Sequence, residues 1–567
     1  MSARSKDDDG QNGSGPTGSA AARAELSRRR FLRRTTSAAF AIGAVGCSTA
    51  PESAVGGSAA DADDATADAS FDASIELDTS APSEPLDVVA MAPDDVAARV
   101  QDAASLEDVA SLEDAATMPE DATATVDDAI SSPDDVTSTA DAGSAVDGKI
   151  VTFDVDQWKV SEKRFPLGVQ AGAMRLDSAV LWCLDEGKGA PTLKVWREHP
   201  QLQDMVVMAH DAPVKPGDGG YCKAPVSGLL PATWYDYAWF GGPDRSVVGQ
   251  FQTAPAAGDK SPLTIAATTC TSLSMSKEFK ALSKMAKEPI DLMVHLGDMS
   301  YNDGAKTLSQ YRGKWRKTLS AQGYRDLLST AGYYITWDDH EVDNNFNPET
   351  MNKAHLKAAK DAFFETTSAE RGPKDRLWRS YMWGATAEIF VLDSRSERKP
   401  STAKSDKPIY IGLEQMAWLK AGLKSSKAHF KVLLNSVPIT EMPIWYLSKS
   451  DRWQGYEKQR DELLGHIADT GINNVWFLSG DFHLSFVARV GNKGAGKDLY
   501  EIAVGPGANL NPLGIPALFP ASQFLHMSAT IEVATTLTFD PATNEVHVRY
   551  IQASNGKVLY DKKLKQA

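Results

Sequence analysis

The sequence predicts an α/β domain on a mostly parallel sheet, preceded by a small β-sandwich and by a long acidic segment that does not fold. Three observations predict it. After Pro262, apolar runs of four to six residues alternate with amphipathic stretches of helical period, the pattern of a parallel sheet covered on both faces. Between Phe165 and Thr253, short alternating runs are separated by Gly, Pro and Asp clusters, as in a two-layered β structure. Residues 48–147 hold 25 acidic side chains against one basic residue, Arg99, with Phe71 as the one aromatic. Such a segment cannot bury enough apolar surface to offset the entropy of ordering it.

Taken in order, residues 1–47 read as an export signal. Ser27 to Arg33 (SRRRFLR) resembles the twin-arginine consensus, and small or apolar residues follow from Thr35 to Gly46, a stretch too short to span a bilayer. It ends at Ala44-Val45-Gly46-Cys47, similar to the lipobox at which a lipoprotein is cleaved and lipidated on Cys47, although the usual Leu is absent at position 44. Residues 48–150 then form a disordered acidic spacer; its carboxylates lack the regular spacing and Gly of loop-type calcium sites. The spacer also explains the net charge of −16, because residues 148–567 carry 50 basic and 46 acidic side chains. The folded part has no basic excess to draw nucleic acid.

Residues 160–256 form the β-sandwich. Runs such as SAVLWCL (178–184), TLKVWRE (192–198) and WYDYAWF (234–240) supply strands, and Leu229 to Tyr235 (LLPATWY) resembles the "L-x-P-x-T-x-Y" corner of fibronectin-III-like domains. Cys183 and Cys222 fall here, either as a disulfide in an exported protein or as small core residues. Residues 262–565 form the α/β domain. A helix over Met275–Glu288 places Phe279, Leu282 and Met285 on one side, and Met416, Leu419 and Leu423 repeat the pattern.

The strand ends carry the chemistry. LTIAATT runs into Cys270, DLMVHLG into Asp298 with Tyr301 shortly after, YYITW into Asp338-Asp339-His340-Glu341, EIFVL into Asp393, KVLL into Asn435, and NVWFLSG into Asp481-Phe482-His483. Each residue alone reads as a cap or turn residue. Together they bring metal-competent groups to one edge of the sheet, where open α/β sheets place their sites. Carboxylate and amide oxygens, an imidazole, a phenolate and a thiolate are more than one divalent ion needs. A thiolate with a phenolate suits ferric iron, and the hard oxygens suit calcium or manganese. His295 lies within an apolar run and reads as a core histidine.

GDMSY (297–301), WDDHEVDNNF (337–346), LDSR (392–395), GLEQMAWL (412–419), NSVP (435–438), WQGY (453–456) and LSGDFH (478–483) resemble, in order, the signatures of alkaline phosphatase D (PhoD-like) proteins within the calcineurin-like metallophosphoesterase superfamily. The resemblance spans about residues 160–565 and implies a metallophosphoesterase-type sheet sandwich covered by helices. It implies a two-metal centre, of iron plus calcium with manganese or zinc as substitutes. Asp298 would bridge the metals. Cys270, Tyr301 and His483 would hold the first, and Asp339, Asn435 and Asp481 the second. The Cys270 surroundings, Thr-Thr-Cys-Thr, depart from the commoner Ser-Cys-Gln. His340 would supply a proton or hydrogen bond, and Asn344 and Arg395 would contact phosphate.

The implied activity is hydrolysis of phosphomonoesters, phosphodiesters or both, by in-line attack of a metal-bound hydroxide. The substrate would be a small-molecule or lipid phosphate ester, met in the periplasm or at the cell surface on a membrane tether. The pocket would be shaped by loops such as 300–330 and 505–530. Two alternatives stand beside it: a phospholipase D-type phosphodiesterase, and a non-catalytic surface lipoprotein whose β domain serves adhesion.

Overall fold

The protein is described from a computed structural model, which covers residues 148–566 apart from 203, 442–448 and 511–521. The export signal with Cys47, the spacer up to residue 147 and the centre of the loop 505–530 lie outside the described residues.

Two large sheets face one another across a shared apolar layer. In one, the strand Leu263–Thr271 runs parallel to Leu292–Leu296, and that strand parallel to Tyr333–Thr336. In the other, Ala387–Val391, Phe430–Leu434 and Val475–Ser479 run parallel in turn. Period-two alternation sorts these buried strands between layers. Ile265, Leu292, Val294, Ile389, Val432 and Trp476 point into the layer between the sheets. Ala266, Met293 and Ile335 meet helices outside the first sheet, and Phe390, Leu433 and Phe477 meet helices outside the second.

Local signals place those helices. Thr307 and Gln310 exchange bonds in a capping box at the start of Leu308–Leu319, and the Asn352 side chain caps Lys353–Thr366. Most of the segment 300–330 is therefore helical and not a loop. The helix expected over 275–288 is confined to Lys280–Met285, because Phe279 stands in the left-handed region at φ 54° and breaks the spiral there. Phe279, Leu282 and Met285 are nevertheless all buried.

The N-terminal β region differs from a free-standing sandwich. One layer, including Thr192–Glu198, Met205–Pro213 and Trp234–Gly241, belongs to a seven-stranded sheet of its own. The other layer, Val169–Gly172, Ser178–Leu184 and Tyr221–Ser227, continues the ten-stranded sheet of the α/β domain through pairing of Gly172 with Tyr333. An edge strand at Tyr333–Thr336 would otherwise present unpaired backbone groups. Within Leu229 to Tyr235 the Leu230 N–H donates to the Tyr235 hydroxyl at 2.9 Å. Cys183 and Cys222 sit directly opposite one another as free, buried thiols. Among the described residues no helix is long and apolar enough to cross a membrane.

Candidate metal centre

The C-terminal ends of the parallel strands converge, and the backbone at or just beyond these ends is strained. Cys270, Asp298, Asp481 and His483 all have positive φ, between 52° and 61°, a conformation that costs a non-glycine residue about 1–2 kcal/mol. Strain of this kind persists where surrounding structure over-determines it. Gly297 shows how tightly Asp298 is seated: its φ is 96°, and an added Cβ would overlap Asp338 and the Trp337 backbone.

Glu341 supplies much of that determination. It is fully buried, and its carboxylate accepts from the backbone N–H groups of Met299 at 2.6 Å, Asp338 at 2.9 Å and Asp298 at 3.1 Å. One side chain thereby ties the turn after Leu292–Leu296 to the turn after Tyr333–Thr336. Burial raises its pKa to about 7, against the lowering by those donors.

Three overlapping groups of potential ligands result, each with its atoms within 4.8 Å of one another: Cys270, Asp298 and His483; Asp298, Asp339 and His340; and Asp338, Asp339 and Asp481. Asp298 belongs to two of them. Its Oδ2 accepts from the Tyr301 hydroxyl at 3.1 Å and from the Cys270 thiol at 3.3 Å. The Tyr301 oxygen also lies 3.4 Å from His483 Nε2 and accepts from the Asn509 amide at 2.7 Å. Burial, then repulsion from Asp298, pushes both the Cys270 thiol and the Tyr301 phenol well up. Burial, then the nearby His340, lowers His483 to about 4, which keeps its imidazole neutral and fit to bind a cation.

These residues fit metal ions. The donors are buried or half-buried, most of them are carboxylates, and Asp338 Oδ2 and Asp339 Oδ1 are buried with no hydrogen-bond partner. Buried carboxylate oxygens left without a hydrogen bond are costly in an interior unless a cation reaches them.

His340 is differently placed. Both Asp303 oxygens lie 2.8 Å from its Nδ1, and its ring stacks on Tyr301 with centroids 4.0 Å apart. Burial lowers its pKa, but Asp298 and the hydrogen bond donated to Asp303 outweigh this and raise it to about 10. Asp303 also accepts from the Asn344 backbone at 2.8 Å, which sets exposed Asn344 beside the imidazole.

Three further residues from the strand ends are held by protein partners. Arg395 is wholly buried, and its guanidinium is bound to Asp338, to Asp451 at 2.7 Å and to Asp481 at 3.0 Å. This differs from the expected phosphate contact, because its donors are taken by carboxylates. The Asn435 amide oxygen accepts from Ser394 at 2.8 Å and Trp453 at 3.4 Å. Gly480 N–H bonds Ser436 O at 2.8 Å, so the loop bearing Asn435 abuts the Asp481 turn. Asp393 caps its own turn through Arg395 N–H and Ser396 N–H, and accepts from Trp337 Nε1 at 2.9 Å. His295 is the expected core histidine, bonded to the Tyr324 hydroxyl at 2.9 Å and lowered to about 3 by burial.

Residues 265–512, which contain this whole constellation, match the family model described as PhoD-like phosphatase. Over those residues the chain is similar to that family. Alkaline phosphatase D of Bacillus subtilis (strain 168) is 29% identical in a match covering 58% of this chain and 65% of that protein, so the chain spans just under two thirds of that relative's length. A solved structure of PhoD superposes with a TM-score of 0.61 at 24% identity, covering 72% of this chain and 90% of that one. A purple acid phosphatase from yellow lupin (Lupinus luteus) seeds gives 0.53 at 15% identity, covering 70% and 73%. These likenesses establish a metallophosphoesterase-like α/β fold. Asp303, Glu341 and Asn509 received no role from the sequence. Asp303 lies two residues beyond Tyr301, at the spacing of a second polar residue on the same loop, and that was the available signal.

Proposed function

We propose that the protein is an exported, metal-dependent phosphoesterase that hydrolyses phosphomonoesters, phosphodiesters or both at a two-metal centre. The observation that carries this reading is the position of Asp298, shared between the group with Cys270 and His483 and the group with Asp339 and His340. A carboxylate between two cations is the anion that relieves their mutual repulsion. Cys270, Tyr301 and His483 would hold one ion, with a donor set suited to ferric iron, and Asp339, Asp481 and Asn435 the other, with oxygens suited to calcium or manganese. Bound there, the ions would supply the positive charge that polarises a phosphoryl oxygen and acidifies water.

The chain's own residues do the rest. Asp303 takes His340 Nδ1 and thereby leaves Nε2 to face the cluster. A proton carried on that nitrogen would then be available to the oxygen that leaves phosphorus. Glu341 fixes the two turns so that Asp298 and Asp339 need not reorganise as charge develops. Phosphate ester hydrolysis is inferred for this chain from its likeness to PhoD-like phosphatases and to alkaline phosphatase D. Export by the twin-arginine-type segment 27–33, a lipid on Cys47 and an extended acidic spacer complete the proposal.

The test is elemental analysis of the purified protein together with turnover of an aryl monophosphate, a bis-aryl phosphate and a phospholipid. Metal in the folded protein and turnover of at least one ester are expected, and the preferred ester identifies the substrate class. Asp298→Asn should lose both metal and turnover while keeping its circular dichroism spectrum. Folded protein without iron, calcium, manganese or zinc would favour a surface adhesion module instead.

A further inference from the structure

The third group of carboxylates already contains a cation, and that cation is part of the chain. Asp338, Asp339 and Asp481 each bring an oxygen within 4.8 Å of the others, a spacing from which one ion with metal–oxygen distances of about 2.3–2.6 Å reaches all three. The Arg395 guanidinium lies among the same three carboxylates. Its Nε is bound to Asp338, and its Nη2 lies 3.0 Å from Asp481 and 3.7 Å from Asp339. Its Nη1 bonds Asp451 at 2.7 Å, a carboxylate it shares with Arg398. The Arg395 side chain has no solvent exposure, and Asp338 has none either.

We propose that Arg395 is a built-in cation that fills this group and thereby limits the number of divalent ions the site takes up. Breaking a buried ion pair by removing one partner leaves uncompensated charge. Here one guanidinium faces four carboxylates, and Asp338 Oδ2 and Asp339 Oδ1 remain without hydrogen bonds. A planar, delocalised cation with several donors suits such a position better than the compact ammonium of lysine does. It cannot leave readily, because the Arg395 N–H is also fixed to Asp393 at 3.1 Å. Asp339 and Asp481 are at the same time proposed ligands of the second metal, so the guanidinium and that ion draw on the same two carboxylates. Arg395 therefore weakens the cation affinity of those oxygens while it prevents a further ion from entering beside them.

This inference rests on the proposed role of Asp339 and Asp481, and the two fail separately. The experiment is native mass spectrometry and calcium-dependent thermal unfolding of the purified protein, of Arg395→Met and of Arg395→Lys, with calcium alone as the probe. The Met variant is expected to be unstable without calcium, to regain its melting temperature as calcium is added, and to carry one calcium ion more than wild type. The Lys variant, which keeps the charge, is expected to show the wild-type count. Absence of any metal from wild type would sink the two-metal reading. A Met variant with the wild-type count, a Met variant that calcium does not restore, or a Lys variant that takes up the extra ion would overturn the built-in cation.

Discussion

Asp303 reaches the chemistry only through His340. It touches none of the proposed ligands, yet both of its oxygens meet the imidazole and a third bond from Asn344 N–H holds the carboxylate in place. Asp303→Asn should lower turnover by about 10–100-fold, the usual effect of removing a group that orients a functional histidine, with unchanged metal content by elemental analysis. His340→Asn should cost about 10²–10⁴ in turnover, and adding Asp303→Asn to it should cost little more, since the two act as a unit. A double-mutant cycle on kcat checks this; additive losses would show that Asp303 acts elsewhere. The strained backbone at Cys270, Asp298, Asp481 and His483 belongs to the same scale. Four residues held in a costly conformation are ready-made positions for ligands, and no sequence motif announces positive φ at a cysteine or histidine.

Among the elements, the helix Lys353–Thr366 shows how the β region grips the α/β domain. Lys223, on the strand Tyr221–Ser227, donates from its amine to the carbonyls of Phe364, at 2.9 Å, and Ala369, capping the helix end. Trp182 adds a bond from Nε1 to Glu365 O at 2.7 Å. Burial lowers the Lys223 pKa to about 7 from 10.5. The unfolded chain therefore binds more protons between pH 7 and 10.5, and Lys223 contributes stability that rises with pH through that window. Denaturant midpoints across this range should show the rise in wild type and its loss in Lys223→Met. That variant should also be less stable by about 1–3 kcal/mol, from carbonyls left without a donor. A flat difference between the two proteins would mean that the amine is not titrating there.

At the scale of the whole molecule, the ten-stranded sheet crosses the boundary that composition places near residue 260. Gly172 pairs with Tyr333, and Gln170 accepts from the Tyr333 hydroxyl at 2.5 Å and donates to Thr366 O at 3.1 Å. Residues 148–566 should therefore unfold in one calorimetric transition, and a chain beginning at residue 262 should be poorly soluble, with the Tyr333–Thr336 edge unpaired; two separate transitions would contradict a shared core. The sequence by itself determined the layers of this protein, since alternating apolar strands and amphipathic helices have few ways to bury their faces. It also determined which strand ends carry Cys270, Asp298, Tyr301, Asp339, Asp481 and His483, because those residues are local to their strands. Only the tertiary structure decided that Asp298 joins two ligand groups, that Arg395 turns inward to carboxylates on three other segments, and that the β region shares a sheet with the α/β domain. Each of these depends on groups distant in the chain meeting at short range, where the energy of a buried charge depends on neighbours that no local pattern encodes.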